Sequence, residues 1–278
     1  MTLSEIRQIL NERDILLTKS LGQNFLHDGN QVRRIIAAAE LRPDDRVLEV
    51  GPGLGPLTEL LLDQAGEVLA IEKDRRLVEV LRERLGANSK LCLVQADALE
   101  YLRTTPHDWT GWKLVANLPY SITSPLLVEL ALARGAPSRL VFTVQMEAAQ
   151  RLLAEAGSGD YGVLTLLVRL RYEPRGWFKI TPDCFFPPPD VASACVRLDL
   201  RPAELLSDAE RGVFTRLVKK AFSERRKMMF KLLKQEWPEA KLAVAFTEIG
   251  LSPQVRAEAV SLEHFVQLTR LIRTFSNP

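Results

Sequence analysis

Glu49-Val50-Gly51-Pro52-Gly53-Leu54-Gly55 joins a short apolar run, 46–50, to a segment, 57–64, whose apolar residues recur every three or four positions. A strand that feeds a helix through alternate glycines reads as the opening turn of a parallel α/β sheet. Residues without a Cβ let the backbone turn tightly and approach a ligand closely. Dinucleotide-binding turns place their third glycine one position later, as G-x-G-x-x-G, so the E-x-G-x-G-x-G spacing speaks against a nicotinamide enzyme. The turn also lacks a P-loop lysine, and a diphosphate is therefore not the obvious ligand.

The same alternation continues beyond this turn. β-Type runs occupy 67–71, 91–95, 114–116, 140–144, 162–170 and 194–200, and helical periodicity appears at 75–85 and 124–133. This predicts a seven-stranded Rossmann-like sheet covered on both faces. The connection 171–193 carries Pro174, Pro182, Pro187, Pro188 and Pro189 and offers no crossover helix, so the last strand is expected to run antiparallel. Residues 2–12 and 30–40 read as helices flanking a loop, 18–28. From Pro202 onward only helices are expected, at 207–235, 240–250 and 261–275. The predicted domains are therefore 1–201, with 1–45 as an N-terminal covering segment, and a small all-helical domain, 202–278.

Two carboxylates give the glycine turn a ligand. Glu72 closes the second strand, where a carboxylate can accept both hydroxyls of a ribose. Asp97 closes the third, where it can accept a hydrogen bond from an adenine amine, although a strand-end acid is also a common helix cap. With Gly51 and Gly53 they lie on one sheet edge. The ligand they fit carries an adenosine and a zwitterionic tail, which is the chemistry of S-adenosylmethionine. The sheet then reads as that of a class I methyltransferase.

Asn117-Leu118-Pro119-Tyr120 ends the fourth strand. An adenine N6 amine is a weak nucleophile because its lone pair is delocalised into the ring. Two acceptors aimed at its hydrogens, the Asn117 side-chain oxygen and the Leu118 carbonyl, draw that pair back onto nitrogen. Pro119 stiffens the turn, and Tyr120 offers a face on which a flipped-out purine can stack.

With these motifs the chain resembles the ribosomal RNA adenine dimethyltransferase family over nearly its whole length, most closely the bacterial small-subunit branch. Ser20-Leu21-Gly22-Gln23-Asn24-Phe25-Leu26-His27-Asp28 is similar to the family's cofactor-covering loop, and the resemblance puts Asn24 and Leu26 against S-adenosylmethionine together with Gly51, Glu72, Asp97 and Asn117. Residues 160–164, Asp-Tyr-Gly-Val-Leu, resemble a segment leading into the sixth strand. Phe185-x-Pro187-x-Pro189-x-Val191-x-Ser193 resembles a substrate loop in which Phe185 stacks on the target base opposite Tyr120. Taken on the residues alone, Phe185 and Phe186 read as core of a proline-rich connector. The resemblance implies N6,N6-dimethylation of two adjacent adenosines in the 3′-terminal loop of 16S rRNA and a part in ribosome biogenesis. Two rivals stay open: a 23S rRNA adenine methyltransferase of the macrolide-resistance type, which tends to carry isoleucine where this chain has Leu118, and an assembly factor that uses the fold as a binding platform.

Of the 278 residues 46% are hydrophobic and 26% charged, a globular composition. Three cysteines and three scattered histidines show no disulfide framework or metal-ligand spacing, and no apolar run suits a membrane span. A cytoplasmic monomer without metal is the expectation. The net charge of +2 hides an asymmetry: residues 1–200 hold 23 Lys/Arg against 26 Asp/Glu, and 201–278 hold 14 against 9. Within 211–234 nine basic residues, among them Arg225, Arg226 and Lys227, accompany the single acid Glu224. On one predicted helix, such a run is expected to track an RNA backbone.

Overall fold

The computed structural model describes residues 1–17, 22–224 and 226–274. Their contacts divide the chain into two compact units, Met1–Ala149 with Glu173–Leu200, and Gln150–Tyr172 with Arg201–Pro278. The boundary expected after residue 201 thus leaves out a second crossing of the chain: the segment from Gln150 to Tyr172 groups with the C-terminal residues.

The first unit opens with α1 (Leu3–Glu12), β1 (Phe25–Leu26) and α2 (Gly29–Ala39). Five βα repeats follow: β2 (Arg46–Val50), α3 (Pro56–Gln64), β3 (Glu67–Glu72), α4 (Arg75–Leu85), β4 (Leu91–Gln95), α5 (Ala98–Thr104), β5 (Trp112–Asn117), α6 (Thr123–Leu132), β6 (Arg139–Gln145) and α7 (Met146–Leu153). Strands β2 to β6 pair in parallel. Beyond α8 (Val163–Arg169) come β7 (Tyr172–Ile180), β8 (Phe185–Phe186) and β9 (Ser193–Leu200). The sheet order is β4-β3-β2-β5-β6-β9-β7, with β9 antiparallel to β6. The chain leaves β2 toward β3 and β4 on one side, and β5 and β6 lie on the other. This reversal opens a crevice at the carboxyl ends of β2 and β5, the place where such sheets bind ligands.

Three sequence expectations are corrected here. The stretch 162–170 holds a helix, α8, instead of a strand. Its apolar run suits either period, and the helix wins because Thr165 accepts the Gly162 N–H at 3.2 Å and donates to the Arg151 carbonyl at 2.6 Å, closing the first turn. The similarity at 160–164 therefore leads into a helix. The seventh strand of the sheet is β7, inside the stretch read as an irregular connector, and its Pro174 is tolerated because β7 is an edge strand.

The second unit holds α9 (Asp208–Ala221), α10 (Met229–Leu233), α11 (Glu239–Glu248) and α12 (Leu262–Thr274). Phe214, Leu217 and Val218 of α9 are buried, as are Phe265 and Leu268 of α12, against which α9 packs. The single helix expected over 207–235 is broken. Its last turn ends at Phe222, the Ser223 hydroxyl donates to the Lys220 carbonyl at 2.9 Å, and the Lys227 N–H donates to the Glu224 carbonyl at 3.0 Å before α10 begins.

Candidate active site

One cavity occupies the crevice, lined by Gly22 to Leu26, the Glu49–Gly53 turn, Glu72, Lys73, Asp97 and residues 117–122. The turn is built for close approach. Gly51 has φ +67°, and a Cβ placed on it would lie 3.2 Å from the Pro119 ring; Gly53 has φ +62°, and its Cβ would sit 2.9 Å from the Phe25 ring. The glycines therefore let β1 and the end of β5 close over the carboxyl edge of β2.

Glu72 is 7% exposed. Its Oε2 accepts the Gly53 N–H at 3.1 Å and its Oε1 the Asp74 N–H at 2.9 Å. Each oxygen keeps a lone pair, so the carboxylate can still receive two hydroxyls. Burial pushes its carboxyl up, against the pull of the two N–H groups. Asp97 takes the capping role and also borders the cavity. Its Oδ1 caps α5 through the N–H groups of Leu99 and Glu100, while Oδ2 accepts Lys73 Nζ at 3.0 Å. The Lys73 ammonium and the Glu100 N–H hold its carboxyl below the ordinary value. Glu49 is buried in the same wall, with Oε2 unpartnered, and burial raises its pKa from 4.5 to about 8. With Glu49 held neutral, the two carboxylates Glu72 and Asp97 still outnumber the one lysine of this wall, which favours a cationic ligand, as S-adenosylmethionine is through its sulfonium.

At the end of β5, Asn117 is held from two sides. Its Nδ2 donates to the Asn24 carbonyl at 2.9 Å, and its Oδ1 accepts the Thr143 hydroxyl from β6, which stands opposite it in the sheet register. One amide thus ties the 22–26 loop to the sheet and keeps a lone pair on Oδ1. Leu118 is buried beside it. The Tyr120 phenol shares a 2.7 Å hydrogen bond with the Ser193 hydroxyl at the start of β9, and the ring borders the cavity.

A family model for ribosomal RNA adenine dimethylase matches residues 16–274. The chain belongs to that family. It is 38% identical over 270 residues to the ribosomal RNA small subunit methyltransferase A of Protochlamydia amoebophila, covering 95% of this chain and 94% of the relative. Among solved structures it resembles a dimethyladenosine transferase from Plasmodium falciparum, with TM-score 0.76 and 25% identity over 88% of this chain and 95% of the other. It also resembles the 23S rRNA methyltransferase ErmE, with TM-score 0.67 and 30% identity over 90% and 100%.

Read as a dimethylase site, the cavity gathers Asn24, Leu26, Gly51, Gly53, Glu72, Asp97, Asn117, Leu118, Pro119 and Tyr120. It does not gather Phe185. That side chain is 2% exposed, pairs across β1·β8 with Leu26 and packs in the core with Val32, Ile36 and Cys195. The bridge turns Phe185 inward, so the connector reading, not the base-stacking one, describes its position. Thr143 belongs to no motif and Ser193 only closes one; the contacts of both with the Asn117-to-Tyr120 turn emerge only from the β5-β6-β9 register.

The basic run of the second unit is also different from its sequence appearance. Arg225 lies outside the described residues. Arg211 is buried and pairs with Asp208 and Glu204, Arg216 with Glu236, Lys227 with Glu224 and Lys234 with Glu239. Most of these acids lie outside the counted window, so the local excess is smaller than the count. Lys219, Arg226 and Lys231 are exposed and lack a carboxylate partner among the described residues. No group of three or more metal-ligating side chains occurs among the described residues, and no helix there is long and apolar enough to cross a membrane.

Proposed function

We propose that the chain is an S-adenosylmethionine-dependent N6,N6-dimethyltransferase of small-subunit ribosomal RNA, acting on two adjacent adenosines of the 3′-terminal loop as a cytoplasmic monomer during ribosome biogenesis. The observation that carries this reading is the meeting, in one cavity, of a buried ribose-type acceptor, Glu72, with the Asn117-Leu118-Pro119-Tyr120 turn. S-adenosylmethionine supplies an electrophilic methyl group.

The residues of the chain do the rest. Glu72 accepts ribose hydroxyls, Asp97 accepts from the adenine amine, and Gly51 and Gly53 leave room for both. Asn24 and Leu26 cover the ligand. The free lone pair of Asn117 Oδ1 and the Leu118 carbonyl receive the hydrogens of the target N6 and concentrate its lone pair on nitrogen. Thr143 and Asn24 hold that amide in place. Tyr120, steadied by Ser193, stacks on the extruded base. N6 becomes acidic once alkylated and sheds its proton to water, so no strong base is required. One hydrogen remains after the first round, and the amine turns to present its lone pair again. Lys219, Arg226, Lys227 and Lys231, with Arg225, supply phosphate contacts that position the RNA without reading its sequence.

Incubation with methyl-labelled cofactor and either small or large subunits lacking the modification tests this reading. Label in two adjacent small-subunit adenosines is expected. Label confined to large-subunit RNA supports the 23S reading instead, and no label in either supports a binding factor.

A further inference from the structure

On β7 the residues Glu173, Arg175, Trp177 and Lys179 share one face, about 7 Å apart along the strand. Phe178 and Ile180 point the other way, into the core, where Arg34 lies over the Phe178 ring at 3.9 Å. Arg175 and Lys179 are exposed, and Trp177 is 54% exposed, one of four large hydrophobic residues so displayed among the described residues. Glu173 pairs with Arg175 at 2.9 Å and offsets one of the two charges. Charged residues and proline on an edge strand guard against pairing with another sheet, and Pro174, Arg175 and Lys179 fit that purpose. Trp177 does the opposite. It leaves a large apolar face in water on the strand that least tolerates one, between two cations.

We propose that Arg175, Trp177 and Lys179 form a second RNA contact outside the methylation cavity, taking a single-stranded segment with one unpaired base stacked on Trp177 and the flanking phosphates at Arg175 and Lys179. An indole between two cations suits this ligand because every base has a face to stack and every nucleotide a phosphate to pair. The inference rests on the RNA-directed reading above and names a further part of the same substrate.

The chain carries its own reporter. Trp109, Trp112 and Trp237 are at most 6% exposed, so the tryptophan emission that acrylamide can reach comes from Trp177. In the full-length protein, an oligouridylate of about twelve nucleotides is expected to shield that emission. W177F should lose the quenchable component, and W177A should bind the oligonucleotide, and undermethylated small subunits, about tenfold more weakly. A R175Q/K179Q protein should show a log affinity against log salt slope flatter by about 1.4. Cofactor affinity should be unchanged in all of them. Oligonucleotide binding that leaves Trp177 equally quenchable, with W177A binding as tightly as the wild type, would overturn the proposal. So would shielding of Trp177 that depends on protein concentration without RNA, which would assign the face to a second copy of the chain. Because the quenching needs no turnover, failure to methylate small subunits would sink the proposed activity and leave this result readable on its own.

Discussion

Replacing Glu49 by glutamine should stabilise the protein, and increasingly so as pH rises. Glu49 is 1% exposed, one of its oxygens has no partner, and Glu72 adds negative charge nearby. Its pKa rises from 4.5 to about 8 on folding. A carboxyl group raised in the folded state contributes its full stability below the unfolded value and loses it as pH climbs toward the folded one. Each unit of displacement is worth about 1.4 kcal/mol. At pH 7 the wild type therefore forgoes roughly 3 kcal/mol, and above pH 8 about 5, of which E49Q is freed. The amide adds an offset of its own, so the slope is the diagnostic. Urea unfolding of ligand-free protein at pH 5, 7 and 8.5, followed by circular dichroism and by the buried Trp109 and Trp112 of the same unit, should show the advantage of E49Q growing with pH. Stability curves that stay parallel across that range would refute the assignment of a protonated Glu49.

Three further outcomes follow from the cavity. G53A places a side chain at φ +62° and 2.9 Å from the Phe25 ring, and should cost about 1–3 kcal/mol of stability and weaken cofactor binding in calorimetry. T143V removes the hydroxyl that holds Asn117 Oδ1, and should lower kcat about tenfold with cofactor Kd unchanged, while T143S retains most activity. Hydroxyls donated to Glu72 stabilise its ionised form, so cofactor affinity should be full at high pH and fall as pH drops through the raised Glu72 pKa. E72Q should bind about tenfold more weakly and with that pH dependence removed.

The parts of the site that could be read in the residues are those that the parallel sheet places by itself. Gly51, Glu72, Asp97 and Asn117 each stand at or just past the end of a strand, and strands of one parallel sheet end on one edge, so their convergence is written in the order of runs and turns. The contacts of Thr143 and Ser193 escaped because they depend on which strands are neighbours, and β9 enters the sheet out of sequence order. Phe185 shows the limit of a motif: the two-residue bridge to β1 sets Phe185 beside Leu26 in the core, a pairing that the phenylalanine–proline spacing alone does not reveal. At 162–170 the apolar run had no period to distinguish strand from helix. In the basic run, a window of sequence counted charges whose partners, Glu204, Asp208, Glu236 and Glu239, stood just beyond its ends.

The most direct test is the nucleoside composition of small-subunit rRNA after incubation with wild-type protein and with N117A at saturating cofactor, with cofactor affinity of both measured by calorimetry. The wild type should produce N6,N6-dimethyladenosine. N117A, still binding cofactor, should produce it at least about a hundredfold more slowly. Dimethyladenosine formed at an undiminished rate by N117A would contradict the account.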